Sequence, residues 1–281
     1  MPGQRAVDCT LGGGGHARAL LRRILPGGRL LAIEIDPVER PRTEGVLRAE
    51  GFGPDVCAIR AANFAELPRV MADEHMHAAD VVLADLGVSA MQFDTPARGF
   101  SYKGVGPLDM RMNPLVGDTA AALIARSSVE VLERILTEHA DEPHAAVIAP
   151  LLKRPGCATT HGAARTIRRE LQAAFPTLPR ADLKMSVRRT FQALRIAVND
   201  EFASLETLLQ VLPACLAPGG RVAILTFHSG EDRRVKKAFQ RGHRAGLYSA
   251  IAPSVIRSAK AETFANRRAS AAKLRWAERA R

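Results

Sequence analysis

Along the first ninety residues, apolar positions alternate between two patterns. RAVDCT, GGRLLAIEID, PDVCAIRAANF and ADVVLADLGVS are short apolar runs containing β-branched residues, and ARALLRRIL, between the first two, spaces its apolar residues for one helix face. Strand-sized runs separated by helix-sized ones predict βαβ units and a parallel, doubly wound sheet. Much later, LAPGGRVAILTFHS repeats the Gly-Gly-Arg turn and apolar run of the second segment and predicts a fifth strand. The residues ahead of it, about 189–212, have the spacing of one long amphipathic helix. AKLRWAE predicts a tail strand, whereas residues 242–270 show no clear period and are expected to be partly mobile.

A stretch of about a hundred residues does not continue the alternation. It opens with the Gly-, Pro- and Met-rich loop RGFSYKGVGPLDMRMNP and goes on with helical segments TAAALIAR, VEVLERILTEH and GAARTIRRELQAAF. The expected organisation is therefore a discontinuous sheet domain, 1–93 plus 189–281, with a helical insertion at 94–188. An insertion after the fourth strand stands at the carboxyl ends of the strands, where ligands bind in such sheets.

At 281 residues, 47% hydrophobic and 25% charged, the chain has the composition of a globular protein, not a disordered one. No window approaches a membrane-spanning apolar length, and the first residues lack the pattern of a secretory signal. The four cysteines, Cys9, Cys57, Cys157 and Cys215, form no CxxC pair, which points to free thiols in the cytoplasm and to no metal site. Charge adds more. The net charge is +11, yet from His228 to Arg281 there are 14 Lys/Arg against 4 Asp/Glu, so nearly all the excess sits in that last fifth. Such localisation predicts a polyanionic partner, nucleic acid before membrane.

Candidate chemistry clusters at the ends of the expected strands. Gly12, Gly14 and Ala17 fit GxGxxA between a strand and a helix, a spacing that suits a dinucleotide or another nucleoside cofactor. Glu34 ends the second strand, where a carboxylate can accept both ribose hydroxyls. Asp36 competes for that role, or caps the next helix. Asp85 ends the fourth strand, and Asp80 ahead of it reads as a cap or turn residue. A glycine loop, an acid at the second strand and an acid at the fourth also make up the layout of S-adenosylmethionine-dependent methyltransferases with a Rossmann-like sheet.

Five blocks sharpen this. DCTLGGGGHA, DLGVSAMQFD, RGFSYKGVGPLDMRM, RTFQALRIAVNDE and FHSGEDRRVK, in that order, resemble the 16S ribosomal RNA cytosine-N4 methyltransferase family, RsmH or MraW. The resemblance runs over nearly the whole chain. It implies an α/β fold: a Rossmann-like class I methyltransferase sheet with a helical insertion domain for RNA recognition. It implies S-adenosyl-L-methionine held by Gly14, Gly15 and His16, with Glu34 at the ribose, Phe64 near the adenine, and Asp85 and Gln92 around the methionine end. The implied partner is 16S ribosomal RNA or the small ribosomal subunit.

The cytosine amine is a weak nucleophile because its lone pair is delocalised. In-line transfer from a sulfonium then rests mainly on positioning, with an acceptor for the amine proton. Candidates for that acceptor are Asp85, Asp109 and Asn199, with His228 and Ser229 behind them; Asp109 and Asn199 could equally fix the loop. Flanking phosphates would be held by Arg165, Arg168 and Arg169 in the insertion and by Arg233, Arg234, Lys236, Lys237, Arg267 and Arg268 in the tail.

The chain departs from the family pattern in places. The segment that normally precedes the first strand is missing, and Glu34 stands where Asp is usual. His139-Ala140-Asp141-Glu142 replaces a Tyr-Gly-Glu-Glu stretch, MSVR replaces His-Pro-Ala-Thr, Gly230 replaces an apolar residue, and Asn266-Arg267-Arg268 replaces Asn-Pro-Arg. Two other readings compete. A non-catalytic RNA-binding or assembly paralogue would keep the fold, and an NAD-dependent oxidoreductase would use GxGxxA with Glu34 but leave DLGVS and LDMRM without a role.

Overall fold

The computed structural model describes residues 1–281. The chain opens with β1 (Arg5–Asp8), α1 (Gly15–Ile24), β2 (Arg29–Ile33), α2 (Glu39–Ala49), β3 (Cys57–Arg60), α3 (Leu67–Asp73) and β4 (Ala79–Asp85). Helices follow: α4 (Ala90–Asp94), α5 (Ala120–Arg126), α6 (Val129–Ala140), α7 (Ala145–Leu152), α8 (Thr160–Ala174), α9 (Arg180–Asn199) and α10 (Glu201–Cys215). The chain ends with β5 (Leu216–Thr226), α11 (Ser229–Arg244), β6 (Tyr248–Ile251), β7 (Ile256–Arg257), α12 (Lys260–Ala265) and β8 (Lys273–Arg279).

The eight strands form one sheet in the order β3-β2-β1-β4-β5-β8-β6, with β7 also on β8. β1 to β5 are parallel, and β8 runs antiparallel to its neighbours. This is a mixed, mostly parallel sheet of the doubly wound α/β kind. Alternation along its strands sorts side chains to two faces. Ala6, Leu30 and Ala32 pack with Leu21 and Ile24 of α1 and Leu47 of α2. Val7, Leu31 and Ile33 instead join the layer holding Leu67 and Val70 of α3, Leu208 and Leu212 of α10, and Val235 and Phe239 of α11. Each fully buried leucine contributes roughly 2 kcal/mol.

The chain divides into two compact units, Met1–Gly87 with Phe202–Arg281, and Val88–Glu201. These boundaries differ from the expected 93 and 189. α9 continues to Asn199, and its Phe191, Ala193 and Leu194 belong to the core of the inserted unit with Leu132, Leu136, Ile148 and Ile167. The helices there start where a side chain caps them: Thr119, Ser128 and Thr159 accept an N–H of the first turn of α5, α6 and α8.

Three local expectations need correction. The single helix at 189–212 is two, because Asp200 takes a left-handed conformation (φ 48°) that ends α9. Residues 242–270 are structured around β8: β6 and β7 pair with it, and Ser258 Oγ donates to Ala269 O at 2.8 Å. Asp80 lies inside β4, accepting Arg5 N–H at 2.7 Å. The four cysteines are buried thiols, and no helix is long and apolar enough to cross a membrane.

Candidate active site

The loop between β1 and α1 is tied to two neighbouring strands. Cys9 N–H donates to Leu83 O at 2.8 Å and Leu11 N–H to Ile33 O at 3.0 Å. Gly12 and Gly14 then turn through positive φ, 46° and 76°, where a side chain is strained. A Cβ on Gly14 would also fall 2.8 Å from Thr43 Cγ2, whereas one on Gly13 or Gly15 would meet open space. No side chain caps α1. Its first-turn N–H groups are thus left for whatever lies over the loop.

Carboxylates stand at the ends of three adjacent strands beside this loop. Glu34 is buried, with Oε2 accepting Gly12 N–H at 2.8 Å and Oε1 accepting Asp36 N–H at 2.9 Å. Burial pushes its carboxyl up to about 7, against those two donors. Asp36 Oδ1 accepts Val38 N–H at 2.8 Å and fixes the turn ahead of α2, which no side chain caps. Asp8, fully buried at the end of β1, accepts Thr10 N–H on Oδ1 and has no partner on Oδ2. Burial pushes it up to about 6. Asp85 is held by its backbone, whose N–H donates to Thr10 Oγ1 at 2.7 Å. Its Oδ2 lies 3.4 Å from His16 Nε2, and its Oδ1 is buried without a hydrogen-bond partner. That bond to Asp85 raises the His16 imidazole above its ordinary range, although burial works the other way.

Gly14, Gly15, His16, Glu34 and Asp85 therefore come together on the sheet unit. Phe64 opens a short turn after β3, half-buried against the layer of α3 and α10. Gln92 belongs to the inserted unit, buried in α4 where its backbone and side chain form a capping box with Ser89. Asp109 and Asn199 belong to that unit too, and both are occupied in holding its loop. Arg111 donates Nε to Asp109 Oδ1 and Nη2 to Oδ2, each at 2.8 Å. Burial would raise Asp109, but the guanidinium holds it below its ordinary range. Asn199 Oδ1 accepts Met112 N–H at 2.6 Å, and its Nδ2 donates to Met110 O and Arg195 O. Two of these bonds reach the loop, where Met110 sits buried at positive φ, and the third returns to its own helix. Both residues thus hold the loop through their side chains.

His228 precedes α11, with Nε2 3.2 Å from buried Glu231 Oε1 and its ring 5.8 Å from Phe202. Ser229 begins that helix. Phe202 also explains Gly230, since a Cβ there would fall 2.7 Å from its Cζ. Among the basic residues, Arg165, Lys236, Lys237 and Arg267 are exposed, as are Arg233 and Arg268. Arg168 lies over the Tyr102 ring, Arg169 pairs with Glu170 at 2.7 Å, and Arg234 pairs with Glu206 while stacking on Phe202 at 3.5 Å.

The model of the MraW methylase family matches residues 2–280. The chain belongs to that family. A relative from Alkaliphilus metalliredigens, named ribosomal RNA small subunit methyltransferase H 2, is 46% identical over 284 residues, 99% of this chain and 81% of its own. One from Agathobacter rectalis, ribosomal RNA small subunit methyltransferase H 1, is 43% identical over 99% and 81%. One from Halorhodospira halophila, ribosomal RNA small subunit methyltransferase H, is 39% identical over 97% and 87%. Two residues of this methylase escaped the reading of its sequence. Asp8 and Thr10 stand in the glycine string itself, but only the fold shows that Asp8 is buried and that Thr10 fixes the Asp85 backbone.

Proposed function

We propose that this methylase transfers a methyl group from S-adenosylmethionine to the N4 amine of a cytidine in small-subunit ribosomal RNA. The observation that carries the reading is the set of three carboxylates at the ends of β1, β2 and β4 beside an uncapped glycine loop. The cofactor brings two cationic centres, an ammonium and a sulfonium, and a neutral ribose. Asp8 Oδ2 and Asp85 Oδ1, buried and without partners, suit a cation or a donor. Glu34 takes one backbone N–H on each oxygen, so one lone pair of each remains for a ribose hydroxyl. Gly13 and Gly15 leave room for a ligand against the backbone. These residues fit the group.

When bound, S-adenosylmethionine supplies an electrophilic methyl carbon. This chain's contribution is positioning. Gly15 and His16 present N–H groups, Gly14, whose own N–H closes on Leu11 O, gives the loop its turn, Glu34 orients the ribose, and Phe64 flanks the adenine. Asp85, oriented by Thr10 and His16, is the group to accept the amine proton as nitrogen gains its fourth bond. His228, paired with Glu231, stands second to it. The names of the relatives and the basic tail support ribosomal RNA as substrate, with the inserted unit as its recognition domain and the cytoplasm as the compartment.

Calorimetric titration with S-adenosylmethionine, with NADH as control, followed by labelled methyl transfer to small subunits lacking the modification, tests the reading. Binding of the former alone and label at a cytidine N4 are expected. Binding without transfer would favour a non-catalytic paralogue. Binding of NADH alone would favour an oxidoreductase.

A further inference from the structure

Phe264 is a large apolar side chain with nothing over it, 91% exposed on α12. Its surroundings are basic. Residues 256–268 hold Arg257, Lys260, Arg267 and Arg268 against Glu262 alone, and all four cations are exposed. Lys260 stands four residues before Phe264 on α12, hence on the same helix face. Across the sheet edge, Arg257 is the register partner of Lys273. Lys273 is met by Asp232 at 3.8 Å, so the cation left at this edge is Arg257. The segment holds a defined shape: Ser258 Oγ donates to Ala269 O at 2.8 Å, and Asn266 caps the turn carrying Arg267 and Arg268.

We propose that residues 256–268 form a contact for single-stranded RNA, in which Phe264 stacks on an unpaired base while Lys260, Arg257 and Arg267 hold the adjoining phosphates. This rests on the ribosomal RNA reading and deepens it. An exposed ring with cations around it is the arrangement that binds single strands, because every base offers a face to stack on and the backbone supplies the charge. A duplex hides its base faces and would use only the cations. The segment therefore selects unpaired RNA, the form in which a base can be unstacked for methylation.

The test uses the full chain, with oligocytidylate as the single strand and an A-form RNA duplex of equal length as the comparison. The wild-type chain is expected to bind both. Phe264→Ala should weaken the single strand on the order of tenfold and leave the duplex within about twofold, and Phe264→Trp should restore the single strand. Lys260→Ala should weaken both and flatten the salt dependence by about one unit of slope. The exposure of Phe264 makes a folding defect unexpected, and circular dichroism of each variant checks this. Equal affinity of Phe264→Ala and wild type for the single strand would overturn the proposal, as would equal losses on single strand and duplex. If Phe264→Ala bound RNA normally but lost affinity for assembled subunits, the ring would be a protein contact and the proposal would also fall. Wild-type chain that bound no RNA would instead remove the ribosomal RNA reading on which it rests.

Discussion

His16 Nε2 lies 3.4 Å from Asp85 Oδ2, joining the first turn of α1 to the end of β4 across the glycine loop. This bond raises the imidazole's pKa. A group raised on folding stabilises fully below its unfolded value, about 6.5, and that contribution fades as pH rises through the folded value. In Asp85→Asn, the His16 titration followed by NMR is expected to move back down. Methyl transfer should fall by a factor of about a hundred or more, on the scale of a lost general base. An unmoved His16 would disprove the pairing.

Glu34 makes a second pH-dependent element. Its carboxyl titrates near 7 in the fold because burial penalises the charge. The folded chain thus holds this proton longer than the unfolded one, and stability falls as pH rises from about 4.5 to about 7. The full effect approaches ~3 kcal/mol, at 1.36 kcal/mol per unit. Glu34→Gln should flatten that part of the denaturation-versus-pH curve. S-adenosylmethionine affinity of the wild type should rise through pH 7, as the ionised carboxylate accepts the ribose hydroxyls, and Glu34→Gln should abolish this rise in calorimetry.

Asn199 and Asp109 separate loop fixing from catalysis. Asn199→Ala removes three hydrogen bonds to the chain around it. The expected cost is about 2 kcal/mol in denaturant unfolding, with faster hydrogen exchange at Met112. Asp109→Asn keeps a partial contact with Arg111 and is expected to lower methyl transfer by less than about tenfold. A collapse comparable to that of Asp85→Asn would return Asp109 to the reacting centre.

Arg165 and Arg169 lie on the same helix and differ in their partners. Arg169 is paired with Glu170, whereas Arg165 is exposed with no acidic partner. Arg165→Ala is expected to weaken RNA binding several-fold and to lower the salt slope by about one, measured by filter binding across ionic strengths. Arg169→Ala should change both by less, since its charge is already partly met.

Much of this was legible in the order of residues. Short apolar runs gave β1 to β5, because a strand buried on both faces needs near-continuous apolar sequence, and AKLRWAE gave β8. The glycine string announced a close backbone approach. Glu34 and Asp85 stood out as acids at strand ends, and the family was readable from five blocks in order. The break at Asp200 was not legible, since a single left-handed residue leaves helical periodicity intact on either side. Nor was the ordering of residues 242–270, whose short β6 and β7 depend on β8, distant in sequence.

The sequence alone determined the sheet's class, the position of the glycine loop and the location of the basic excess, because these follow from local periodicity and residue chemistry. The tertiary structure decided which polar groups are left to act. Asp36, Asp109 and Asn199 looked as eligible as Glu34 and Asp85, yet folding engages the first three in a turn and a loop. It leaves Asp8 and Asp85 each with one buried oxygen unmet. Hydrogen-bond satisfaction is settled between segments far apart in the chain, so no local pattern can carry it.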